Sequence, residues 1–277
     1  MIYKEIAIEP FAGSPAASEG SFSPSLTLYF PDNSNEVDPL RKRPTVVICP
    51  GGGYAFRSRR EAEPVALAFI AHDLNAAVLE YSVAPAVFPA ALTELARAVA
   101  YLRQNSDELH VDADKIAVLG FSAGGHLAAN FGTLWDSALV RDITGFTDEH
   151  KPNGMILCYP VITSGLRAHR GSIDNLLGDR KDDPELLELV SCEKQVGPGT
   201  PPAFIWHTFD DGAVPIQNSL IMTQALADNG INTELHVFPH GPHGLSLANE
   251  AVYGCFDGNG RDCQEWIDLA IRWLKNL

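Results

Sequence analysis

Six short, almost uninterrupted apolar runs constrain this chain more than any other feature: 45–50 (TVVICP), 76–81 (AAVLEY), 115–120 (KIAVLG), 154–159 (GMILCY), 203–208 (AFIWHT) and 233–238 (TELHVF). A strand covered on both faces has no solvent side, so it reads as a continuous apolar run and not as an alternation. Between the runs lie stretches with helical periodicity, at 61–74, 91–105, 123–135, 217–229 and 264–277. Strand and helix in turn are the signature of βαβ units, which place parallel strands in one sheet with helices on both faces.

The first 38 residues precede that rhythm. Strand-like pieces at 2–8 and 25–30, with Pro and Ser between them, predict an antiparallel edge to the sheet. Residues 163–200 break the rhythm with glycines, charges and one short helix candidate near 184–190, and are expected to form a cap-like insertion above the sheet. No internal repeat or low-complexity tract divides the rest, and 277 residues fit one α/β domain, so residues 1–277 are expected to be a single unit.

Chemistry concentrates at the ends of the runs. Gly120-Phe121-Ser122-Ala123-Gly124 follows an apolar run and opens a helix, the setting in which a sharp turn lifts a serine hydroxyl clear of the sheet. A hydroxyl is a weak nucleophile near neutral pH and needs a histidine base, whose tautomer must be held by a carboxylate. Asp210 and Asp211 follow the run 203–208, while His240 and His243 follow the run 233–238. Pro50-Gly51-Gly52-Gly53-Tyr54 follows the first run, where glycines can turn backbone N–H groups toward an oxyanion, and Gly52, Gly53 and Ala123 are the candidate donors. Any one of these has an ordinary reading as a turn, a cap or a packed loop residue. Their order, each directly after a strand, is what joins them. Tyr54 and Val214, beside the glycine loop and the acid, are candidate substrate-binding residues. His126 is expected to support the helix after Ser122, and His72, His110, His150 and His169 to hold surface or core positions without chemistry.

The formal net charge of -15 would repel a phosphate backbone or an anionic membrane, so neither nucleic acid nor membrane is an expected partner. No N-terminal stretch suits a signal peptide and no run approaches a membrane span, which points to the cytoplasm. Five cysteines at uneven spacing fit reduced thiols, show no zinc-site pattern, and leave only Cys255 with Cys263 as a conceivable small disulfide loop. Neither metal nor cofactor is expected.

The sequence resembles the α/β-hydrolase esterases, and more narrowly the bacterial carbohydrate esterases of the acetyl-xylan-esterase-like group. The resemblance lies in residues 50–54, 81–85, 88–92, 120–125, 211–215 and 241–244, and covers roughly residues 40 to 275. It implies an α/β-hydrolase fold and a metal-free triad of Ser122, Asp211 and His243. Asp211 is preferred to Asp210 because it stands in the D-x-x-V-P pattern common after this strand in α/β hydrolases. His243, between Pro242 and Gly244, matches the family position better than His240 does. Pro50 replaces the histidine that opens the HGGG loop of hormone-sensitive-lipase-like esterases. A short-chain carboxylesterase acting on small-molecule esters, acetylated oligosaccharides among them, is the implied activity. Lipase and feruloyl esterase are alternatives, as is a binding protein that has lost catalysis, and a homodimer is compatible with all of these.

Overall fold

Each of the six apolar runs forms a strand of one sheet in a computed structural model, which describes residues 1–12, 22–254 and 257–277. The chain begins with β1 (Ile2–Ala7), β2 (Ser25–Phe30) and β3 (Arg43–Cys49), then alternates α1 (Glu63–Ile70), β4 (Asn75–Glu80), α2 (Ala90–Gln104), β5 (Val111–Phe121) and α3 (Ala123–Leu134). It continues through α4 (Ala138–Thr144), β6 (Gly154–Cys158), α5 (Arg170–Leu177), α6 (Pro184–Leu189), β7 (Ala203–Thr208), α7 (Gln217–Asp228), β8 (Thr233–Phe238), α8 (Glu250–Tyr253) and α9 (Trp266–Lys275).

The strand order is β1-β2-β4-β3-β5-β6-β7-β8. The pairs β1–β2 and β2–β4 are antiparallel, as the N-terminal pieces predicted, and the six strands from β4 to β8 run parallel. Successive side chains serve opposite cores. Val47, Val118, Leu157 and Ile205 pack with Leu95, Val99 and Phe131 under α2 and α3. Their neighbours Val46, Leu119, Ile156 and Trp206 pack with Phe69, Trp266 and Ile271 under α1 and α9. Helix α9 shows why its segment is helical: Trp266, Ala270, Ile271 and Leu274 fall on one buried stripe, and Trp266 stacks on Trp206 at 5.4 Å.

The chain crosses from β3 to β4 on one side and returns to β5 on the other. The connections after β3 and β5 therefore diverge at the carboxyl edge and leave a crevice there, the place where open α/β sheets hold their ligands. Residues 163–200 lie above that edge and contain two helices, not the one expected. Helix α5 escaped the sequence reading because it is short and polar, with only Ile173, Leu176 and Leu177 marking its apolar face and the His169 side chain capping it by accepting from Ser172 N–H. Helices α4 and α8 were likewise too short to register. No described helix is long and apolar enough to cross a membrane. Cys49, Cys158, Cys192 and Cys263 are buried free thiols, and Cys255 lies outside the described residues.

Candidate active site

The turn between β5 and α3 is compressed on all sides. A Cβ on Gly120 would lie 1.9 Å from the Gly124 carbonyl oxygen, and one on Gly124 would lie 2.1 Å from that of Cys49. Strand, helix and neighbouring strand meet closely enough to force Ser122 to φ +54°, a left-handed conformation that costs a non-glycine residue about 1–3 kcal/mol. Three backbone hydrogen bonds hold it there: Ser122 N–H donates to Cys158 O at 3.0 Å, and Ser122 O accepts from Val161 N–H and His126 N–H, each at 3.0 Å.

Two loops converge on this serine from the ends of β7 and β8. His243 Nε2 lies 2.8 Å from Ser122 Oγ, and His243 Nδ1 lies 2.7 Å from Asp211 Oδ2. With Nδ1–H donating to the carboxylate, Nε2 is left to accept the serine proton, a tautomer assigned from its partners. Asp211 Oδ1 accepts from Ala213 N–H at 2.8 Å and Val214 N–H at 2.9 Å. Burial works to raise the Asp211 carboxyl, but hydrogen bonds from His207 and His243, with the charge of His243, hold it well below the usual carboxylate range. Asp210 and His240 form a separate, solvent-facing pair at 3.0 Å, and Asp210 also accepts from Gly241 N–H at 2.8 Å. That pair braces the histidine loop and does not reach the serine.

The glycine loop is pinned from several directions. Tyr81 hydroxyl donates to Pro50 O at 2.5 Å, Glu61 Oε2 accepts from Gly51 N–H at 2.8 Å, and Asn175 Nδ2 on α5 donates to Gly53 O at 2.8 Å. Gly52 has φ +131°, and its carbonyl accepts from Ala55 N–H and Phe56 N–H, closing a tight turn. Among the described residues, no group accepts from the N–H of Gly52, Gly53 or Ala123, which leaves three backbone donors uncommitted.

Tyr54 and Val214, expected to bind substrate, are buried instead, at 2% and 0% exposure. Tyr54 hydroxyl lies 2.9 Å from His126 Nδ1, whose Nε2 is 2.8 Å from Val190 O, so the two side chains tie the glycine loop and α3 to the segment 163–200. Val214 uses its backbone, donating to Asp211 and accepting from His207 Nε2 at 3.0 Å. Beside His243, a cavity of about 400 Å³ is lined by Asp210, Gly212, Ala213, Gly241, Pro242, His243 and Asn259. A larger one of about 870 Å³ opens at the N-terminal edge among Tyr3, Phe22, Arg57 and Glu63, and none of Ser122, Asp211 and His243 lines it.

Two supporting residues went unnoticed in the sequence. His207, fully buried in β7, lies 3.2 Å from Asp211 Oδ2 through Nε2 and 2.8 Å from Ser219 Oγ through Nδ1. Tyr159 stands edge-on to the His243 ring at 5.1 Å. His169, given a role without chemistry, sits at the N-terminus of α5 within electrostatic reach of the triad. Burial first, and His243 second, push its imidazole below the ordinary value. No described group of three or more His, Cys, Asp or Glu side chains is arranged to hold a metal ion.

A family model described as BD-FAE matches residues 26–226. Endo-1,4-beta-xylanase B of Butyrivibrio fibrisolvens is 35% identical over 246 residues, covering 86% of this chain and 37% of that protein. Acetylxylan esterase of Xylanibacter ruminicola is 29% identical over 218 residues, covering 75% of this chain and 42% of that protein. The chain thus spans less than half the length of either relative. Among solved structures, the acetyl ester-xyloside bifunctional hydrolase from Caldicellulosiruptor lactoaceticus is similar with a TM-score of 0.82 and 37% identity, covering 99% of this chain and 96% of that one. A carboxylesterase from Lactobacillus plantarum is similar with a TM-score of 0.84 and 28% identity, covering 100% and 98%. By the extent of the family match, and by a fold shared along almost its whole length with these esterases, the chain belongs to the BD-FAE family of α/β-hydrolases.

Proposed function

We propose that the protein is a serine carboxylesterase that removes short acyl groups, acetyl first among them, from sugars or other small alcohols. The observation that carries this reading is the continuous contact from Asp211 through His243 to Ser122, at 2.7 and 2.8 Å.

In the proposed reaction Ser122 Oγ attacks the ester carbonyl carbon while its proton passes to His243 Nε2. Asp211 stabilises the imidazolium and stays ionised, as its depressed pKa requires. The tetrahedral oxyanion is received by Ala123, Gly52 and Gly53 N–H, each donor contributing a few kcal/mol. Collapse breaks the bond to the alcohol, which leaves with the proton from His243. Water then attacks the acyl-enzyme with His243 as base, releasing the carboxylic acid and restoring Ser122.

The substrate class is brought from the relatives. One is named an acetylxylan esterase and another an acetyl ester-xyloside bifunctional hydrolase. Turnover of p-nitrophenyl acetate by the wild type beside Ser122→Ala tests the reading, and acetylated xylo-oligosaccharides against longer acyl and feruloyl esters test the substrate. Loss of turnover in the variant supports the nucleophile. An equally active variant would overturn Ser122 as the nucleophile, and an inactive wild type would leave a hydrolase fold that only binds.

A further inference from the structure

The mechanism above has no step for Glu61, yet its carboxylate is buried, at 3% exposure, between the two loops that carry the mechanism. It ends a short turn, Arg59–Glu61, ahead of α1. Oε2 accepts from Gly51 N–H at 2.8 Å on the glycine loop, and Oε1 accepts from the Tyr159 hydroxyl at 2.7 Å. The Tyr159 oxygen in turn accepts from Ser246 N–H at 2.8 Å, three residues beyond His243. The neighbouring Arg60 adds two ties to the same loop. Its carbonyl accepts from Ser246 Oγ at 2.6 Å, and its guanidinium lies 4.7 Å over the Tyr253 ring, whose hydroxyl donates to Gly244 O at 2.7 Å.

A carboxylate removed from water is costly, and burial pushes Glu61 above its ordinary pKa against the hydrogen bonds from Tyr159 and Gly51 that favour its charge. For filling space alone, an apolar side chain of the same volume would serve. What an apolar side chain cannot do is accept one hydrogen bond from each loop. The Gly51 contact is closely placed, since a Cβ on Gly51 would lie 2.7 Å from Phe121 O and 3.1 Å from Ser122 Cβ. The glycine loop therefore passes directly against the nucleophile, and a small rotation at Gly51 would turn the following N–H groups away from it.

We infer that Glu61 is a positioning residue that sets the spacing between the oxyanion-binding loop, through Gly51, and the histidine loop, through Tyr159 and Ser246. The inference rests on the catalytic reading proposed above. It gives Glu61 no contact with substrate.

The test compares wild type, Glu61→Gln, Glu61→Ala and Tyr159→Phe, all confirmed folded by circular dichroism, with Ser122→Ala as the inactive reference. Turnover of p-nitrophenyl acetate is measured together with inhibition by an aryl trifluoromethyl ketone, which adds to a serine as a tetrahedral oxyanion. Misplacement of a reacting group by about 1 Å costs on the order of a hundredfold, so Glu61→Ala should lose roughly ten- to a hundredfold in kcat. KM should stay within about threefold, because ground-state binding does not use the oxyanion donors, while ketone affinity falls in step with kcat. Glu61→Gln keeps an acceptor for Gly51 N–H and should recover part of the loss. If Glu61→Ala does not fold, Glu61→Gln and Tyr159→Phe decide the matter, each expected to lower kcat at nearly constant KM. A folded Glu61→Ala with kcat within threefold of wild type, a loss confined to KM, or unchanged ketone affinity overturns the inference. An inactive wild type would instead overturn the catalytic reading itself, so the two failures are distinguishable.

Discussion

One added methyl group at two positions of α3 separates the two ways a glycine can be required. At Gly124 a Cβ would lie 2.1 Å from Cys49 O, 2.6 Å from Pro50 O and 2.8 Å from the Cys49 carbonyl carbon, all of them backbone. A carbon normally stands about 3.3 Å or more from a carbonyl oxygen, so β3 and the glycine loop would have to move by about 1 Å. At Gly132 a Cβ meets Met155 Sδ at 2.2 Å, which is nominally as severe, but the obstacle is a flexible side chain. A methionine forced into another rotamer costs about 1 kcal/mol, and alanine regains about the same amount over glycine inside a helix. Gly132→Ala should therefore change stability by less than about 1 kcal/mol. Gly124→Ala belongs at the upper end of overpacking costs, about 3 kcal/mol, or a fall in Tm of roughly 5 °C. Because the displaced backbone leads into the proposed oxyanion donors, kcat should also fall by about a hundredfold in Gly124→Ala alone. Thermal and urea unfolding of both variants, with p-nitrophenyl acetate kinetics, measure this. Equal destabilisation of the two, or wild-type turnover in Gly124→Ala, would refute the distinction between backbone and side-chain obstacles.

Two further contrasts follow from the site. Asp211→Asn should lower kcat on the order of 10⁴-fold by releasing the His243 tautomer, whereas Asp210→Ala, which loosens only the outer pair with His240, should keep kcat within about threefold; comparable losses in both would reverse the assignment. Burial pushes His126 down to about 4 from its ordinary 6.5, so below about pH 6.5 the unfolded chain takes up a proton that the folded chain refuses. That part of the stability is intact at pH 7 and is lost as the pH falls toward 4, amounting to about 2 kcal/mol by pH 5. His126→Gln removes this dependence, so urea unfolding at pH 7 and pH 5 should show a shallower loss in the variant, and parallel losses would mean that His126 titrates normally in the fold.

Five of the six parallel strands were readable because their apolar runs are buried on both faces, whereas the edge strand β8 is only partly buried. The runs 203–208 and 233–238 coincide with β7 and β8, and the N-terminal pieces form the antiparallel edge. Polar strand residues were not readable. β5 begins at Val111, well before its apolar run, because Val111 pairs with Arg43 on β3 through a register shift that composition does not report. At the other end Tyr159 was read as strand, but it turns to φ +37° just past β6 and aims its hydroxyl at Glu61. The short helices were lost for a related reason. Eight residues of α5 offer two turns of periodicity, too little to stand out from the glycines and charges around them.

In the site, the residues proposed to react and those proposed to support them were unequally readable, and the cause is geometric. Ser122, Asp211 and His243 each follow a strand, so chain order alone brings them to one edge of the sheet. His207 lies inside an apolar strand and reads as part of it, although its Nε2 reaches the same carboxylate that orients His243. Glu61 reads as an acid opening a helix, an unremarkable place for one, and its partner Tyr159 is 98 residues away. Tyr54 was expected at the substrate, and its ring is buried with its hydroxyl on His126, because proximity to the glycine loop in sequence said nothing about which side of the loop that ring occupies. A reacting group can be suspected from residue type and position, since few side chains do its chemistry. A buried polar support is defined only by the donors and acceptors around it, and those come together only when the sheet does.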